Sequence, residues 1–155
     1  RISKMFKKEI YTEIEIKAPA AVVWKLITDF SSYSKWNPLI MNVKGDVSEG
    51  GKLDLLIHLF LQTDMRATPT IVKVEQEREI VWRGGLRIPG ILEGEHVLRI
   101  ERIERNVVKL VQKEIWSGIM SPVFLVWMGN EIRQGFERMN EKVRDICEMS
   151  PWQSQ

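Results

Sequence analysis

The chain has 155 residues, 44% of them apolar and 28% charged, with a net charge of +2. That length suits one ordinary domain, and the apolar share supplies a core and is too large for a disordered chain. The near balance of charge leaves no basic excess for a nucleic-acid partner, and no apolar run approaches the ~20 residues of a membrane span.

Lys4, Lys7 and Lys8 stand near the start, but Glu9 and Glu13 follow at once, so a solvated terminus is expected rather than a phosphate-binding arm. Ile10 to Lys17 alternates, with Ile10, Thr12, Ile14 and Ile16 on one face, which predicts a half-buried strand. Pro19 ends it and suits the first turn of a helix. Val22, Val23, Leu26, Ile27 and Phe30 recur at helical spacing and predict a short amphipathic helix over 19–29. Ser31 to Pro38 reads as a second short helix or turn leading into a strand.

From there to residue 117 the pattern is strands and turns. Leu53, Leu55, Ile57, Leu59 and Leu61 share a strand face after Gly50-Gly51. Met65 to Val74 reads as one strand, with Pro69 implying an edge or a bulge. Ile80 to Arg83 is a short strand. Gly84-Gly85 and Pro89-Gly90 bracket a flexible connection, and the apolar stretch Leu86–Leu92 is readable as a lid over a cavity mouth, a buried loop or a protein contact. Glu95–Ile103 and Val107–Trp116 form a hairpin. Ser121 as N-cap and Pro122 as first helical residue open a long helix that ends near Ser150-Pro151. Its apolar stripe is Leu125, Ile132, Phe136, Met139, Val143 and Ile146. The order predicts an α+β domain, an antiparallel sheet packed on the last helix. The whole chain, 1–155, reads as a single domain with its core at about 10–147.

Ala18-Pro19, Val23-Trp24, Leu26, Asp29-Phe30, Tyr33 and Trp36-Asn37-Pro38 resemble the START-like (SRPBCC, helix-grip) superfamily, in its polyketide cyclase/dehydrase and lipid-transport branch. Gly51, Pro69, Ile80 with Trp82, Gly94-Glu95-His96, and Gln112 with Glu114 and Gly118 extend the likeness over about 10–147. The resemblance implies a helix-grip fold, a curved antiparallel sheet wrapped around a long C-terminal helix with two short helices after the first strand and a deep cavity in between. Such proteins carry lipids, sterols or hormones, cyclise or dehydrate polyketides, or bind other proteins. Fold therefore fixes the place of the site and not its chemistry.

Strand parity places His96 and Leu98 on one inward face, and Gln112, Glu114 and Trp116 on the next. His96, Gln112 and Glu114 are thus expected as a polar cluster on an apolar wall. Three roles stay open for it: a ligand anchor, a general acid/base pair of His96 and Glu114, or a hydrogen-bonded pair that fixes two strands. Trp36, Trp82, Trp116 and Trp127 are candidate ligand contacts, because indole combines a broad apolar face with one donor. His58 is expected to point outward. No zinc spacing and no phosphate loop is present, so neither metal nor cofactor is expected. The lone cysteine, Cys147, allows no disulfide within the chain and is expected as a buried inert thiol. A single thiol and the lack of a secretory leader point to the cytoplasm. The leading expectation is a soluble protein that binds a small hydrophobic or aromatic ligand. A cofactor-independent polyketide cyclase/dehydrase and an interaction domain with a filled cavity are the alternatives.

Overall fold

The computed structural model describes residues 7–59, 64–85, 88 and 90–149. Strand β1 (Lys8–Ile16) keeps the predicted alternation, with Ile10, Thr12 and Ile16 buried and Glu9, Tyr11 and Glu13 exposed. Pro19 precedes helix α1 (Ala20–Thr28), and its carbonyl accepts from the Val22 and Val23 amides. A 3-10 turn (Phe30–Ser32) and helix α2 (Tyr33–Trp36) follow. Tyr33 is fully buried, and its hydroxyl donates to the Ile27 carbonyl, tying α2 back to α1. Asn37 is extended, as a residue before proline must be, and ends α2. Its Oδ1 accepts from the amides of Leu39 and Ile40, both at 2.9 Å. The Asn-Pro pair therefore steers the chain out of the helix into a strand.

That strand is β2 (Ile40–Lys44), which with β3 (Asp54–Ile57) and β4 (Met65–Ala67) makes a three-stranded sheet in the order β2-β3-β4. A five-stranded antiparallel sheet, β1-β8-β7-β6-β5, holds β5 (Thr70–Glu75), β6 (Glu79–Gly85), β7 (Glu93–Glu104) and β8 (Val107–Ser117). The single strand expected over 65–74 is thus two strands in two sheets, divided at Thr68-Pro69. Proline has no N–H for a ladder, and Pro69 turns the corner by packing onto Gly84, where a Cβ would stand 3.2 Å from its Cα. The Leu53 amide donates to the Pro69 carbonyl at 2.8 Å and links the two sheets across this corner. On β3 the predicted face is observed through Leu59, while Leu61 lies outside the described residues.

Helix α3 (Ser121–Glu148) closes the molecule. Met120 rather than Ser121 occupies its N-cap position. The expected stripe shifts at its end: Ile146 is exposed and Cys147 is buried in its place. The expected stop at Ser150-Pro151 lies outside the described residues. The result is the helix-grip α+β architecture, a curved antiparallel sheet held on one long helix. Among the described residues no helix is long and apolar enough to cross a membrane.

Candidate functional site

The sheet register sorts inward side chains into rows. Ile80, Leu98, Gln112 and Thr12 stand side by side across β6, β7, β8 and β1. Trp82, His96, Glu114 and Ile10 form the next row toward the other end of the sheet. Gly84, Gly94 and Trp116 form the row after that. Successive rows are two residues apart, roughly 7 Å along the strands.

Over the first row α3 lies directly on the sheet. Gln112 donates from Nε2 to Asn140 Oδ1 at 2.8 Å, Asn140 Nδ2 donates to Thr12 Oγ1 at 2.9 Å, and Thr12 donates to the Gln112 carbonyl at 2.7 Å. All three residues are buried. Leu98 has no exposed surface and belongs to this filled region. Gln112 and Leu98 share the expected face but lie one row too deep to line the cavity, and Gln112 is spent on α3 rather than on His96. The three-member polar cluster expected from parity is therefore a pair.

Over the next two rows the helix and the sheet separate. A cavity of about 390 Å³ opens there, walled by β6–β8 on one side, β3 and β4 on another and α3 on the third. His96 and Glu114 meet on its wall, Nδ1 to Oε2 at 2.8 Å. Trp82 stacks flat on the imidazole at 4.7 Å and 7°, and the edge of Phe136 closes on it at 5.1 Å. His96 is 4% exposed, so the ring is fixed by packing on both sides. With the carboxylate accepting, Nδ1 carries the proton and a neutral ring keeps a lone pair at Nε2. That atom is buried and has no hydrogen-bond partner. A buried polar atom left so costs about 1–3 kcal/mol.

Trp82 and Trp116 also line the cavity, together with Phe124, which tilts onto Trp116 at 4.5 Å. Trp36 does not: it donates to Ser32 Oγ at 2.9 Å and packs edge-on against Tyr33. Trp127 is 66% exposed and lies outside the cavity. Met128, Ile132 and Phe136 set the inward stripe of α3, and residue 127 is about 100° of helical rotation from it. Phe124 was missed, though it sits one turn before Met128 on that stripe. Arg66 was missed as well. It lines the cavity with a largely solvent-exposed side chain, 3.6 Å from Asp54. His58 is half-exposed and its Nδ1 meets Asp64 at 2.7 Å. Of the apolar loop, Leu92 lines the cavity and Ile88 is exposed, while residues 86, 87 and 89 lie outside the described residues. No group of three or more His, Cys, Asp or Glu side chains among the described residues is arranged to hold a metal ion.

A family model described as polyketide cyclase/dehydrase and lipid transport matches residues 7–148. The chain belongs to this family. No curated protein matches it in sequence. Solved structures share its fold at low identity. A Streptomyces aromatase/cyclase is 14% identical with a TM-score of 0.72, over 90% of this chain and 92% of that one. A hypothetical protein of Helicobacter pylori is 14% identical with a TM-score of 0.74, over 90% and 88%. Norcoclaurine synthase from Thalictrum flavum, solved with dopamine and hydroxybenzaldehyde, is 13% identical with a TM-score of 0.68, over 90% and 85%. In this member of the polyketide cyclase/dehydrase and lipid transport family the space between sheet and helix is open.

Proposed function

We propose that the protein binds a small, largely apolar molecule in the cavity, with His96 as its polar anchor. The observation that carries this is the cavity of about 390 Å³ whose wall holds a buried imidazole nitrogen with no partner. Sites of this kind combine apolar walls with a few placed polar groups. The indole and phenyl rings of Trp82, Trp116, Phe124 and Phe136 supply a surface suited to flat or hydrocarbon ligands. The family and its aromatase/cyclase likenesses support the same class of ligand. The open volume gives no support to an interaction domain with a filled interior.

A catalytic reading has one observation of its own. A carboxylate on Nδ1 orients the imidazole, so Nε2 is placed to take a proton from a bound hydroxyl or activated carbon and return it. His96 and Glu114 would then act as the acid/base pair of a cyclisation or dehydration.

Native mass spectrometry of the purified protein, followed by organic extraction, tests the binding reading. A copurifying apolar compound of defined mass is expected from the wild type, with its occupancy reduced about tenfold in His96→Phe, the loss of one buried hydrogen bond. Equal occupancy in the variant would remove His96 as the anchor.

A further inference from the structure

His96 is not the only polar group on the cavity wall without a partner. The indole Nε1 of Trp116 is also buried and makes no hydrogen bond. Indole nitrogen only donates, and a buried tryptophan normally finds an acceptor for it. The local sequence helps explain why none is at hand. Across the strand Trp116 faces Gly94, which offers no side chain, and its six-membered ring occupies the space a Cβ there would need, with Cζ3 2.8 Å from that point. From α3 it meets the hydrocarbon ring of Phe124. The two unpartnered atoms are of opposite kind: His96 Nε2 accepts and Trp116 Nε1 donates. Their residues belong to adjacent rows of one wall, rows that lie roughly 7 Å apart along the strands.

We propose that the Trp116 N–H is a specificity-determining contact that donates to a carbonyl or ether oxygen of the ligand, while His96 Nε2 accepts from a hydroxyl. The inference rests on the cavity being a ligand site. It narrows the ligand to a molecule with a hydroxyl at one end, an acceptor oxygen about one fused bicyclic ring away and an apolar body between. The hydroxyl end carries no negative charge, because the Glu114 carboxylate stands beside it. Both atoms are buried, so a ligand reaches them as neighbouring side chains give way.

The test uses two probes, 2-naphthol and 6-acetyl-2-naphthol, titrated calorimetrically into the wild type and Trp116→Phe. The acetyl oxygen is expected to tighten binding about tenfold in the wild type, or 1.4 kcal/mol. That advantage should vanish in the variant, so that the two probes bind it alike, whatever loss of ring contact they share. On the wild type itself, one indole 15N–H resonance should move downfield with 6-acetyl-2-naphthol and stay in place with 2-naphthol. An acetyl advantage that survives in Trp116→Phe, or equal weakening of both probes there, would overturn the contact while leaving the cavity a ligand site. Binding of 2-naphthol without 6-acetyl-2-naphthol would overturn the contact alone, and failure of both naphthols to bind the wild type would overturn both.

Discussion

Gly94 has no room for a β-carbon: an added one would stand 2.8 Å from Glu114 Oε1 and 2.8 Å from Trp116 Cζ3. The missing side chain lets the carboxylate and the indole lie close over β7. Gly94→Ala is expected to cost about 1–3 kcal/mol through overpacking, read as a lower urea midpoint, and to weaken ligand binding because it pushes both groups from their places. A variant as stable as the wild type would mean that the wall has slack. At this scale the sequence told much. Strand parity alone put His96, Glu114 and Trp116 on inward faces. Parity says nothing of depth along a strand, so it could not tell Glu114, at the cavity, from Gln112, one row deeper and bonded to Asn140. Nor does helical periodicity distinguish Phe124 from Trp127 until the stripe through Met128 and Ile132 is fixed by packing.

Thr12, Gln112 and Asn140 bind one element to another: β1 to β8 and both to α3. Asn140→Leu would leave the Gln112 amide and the Thr12 hydroxyl buried without this partner. A loss of about 1–3 kcal/mol is expected, measured by thermal unfolding and carried by the Gln112 amide, since the Thr12 hydroxyl keeps its bond to the Gln112 carbonyl. The triple variant Thr12→Val, Gln112→Leu, Asn140→Leu should recover much of it, since an apolar set of similar shape leaves no polar atom unpaired. Full destabilisation in the triple variant would show that volume, not hydrogen bonding, governs this contact. Most elements were legible because their apolar periods are long and their ends carry Pro, Gly or Asn. The break between β4 and β5 was not. Its residues have continuous strand character, and only the packing of Pro69 on Gly84 shows that the chain changes sheets there.

Across the whole molecule, Cys147 reports on the state of the fold. It is 1% exposed on α3, and burial, with the Glu148 charge adding to it, pushes its thiol up to about 12. The unfolded chain releases that proton near its ordinary value of 9.0, while the folded chain holds it. Between 9 and 12 the unfolded state therefore binds fewer protons, and stability falls as pH rises; below 9 the contribution is constant. Urea midpoints measured across this window should decline less steeply in Cys147→Ala than in the wild type. Parallel declines would place the thiol outside the linkage. Family and architecture were within reach of the sequence because the Trp36-Asn37-Pro38 turn and the strand pattern are tied to backbone geometry. The ligand was not, since it answers to a volume that only the assembled sheet and helix define. That volume occupies one end of the sheet, while the Leu98–Gln112 row and those beyond it are filled. The division has a consequence for descent. Lineages can exchange the half-buried residues at 114 and 116, and so change what is held, without touching the rows that keep the chain folded. A library randomised at these positions should yield mostly folded proteins, whereas the same diversity at 98, 110 and 112 should yield few.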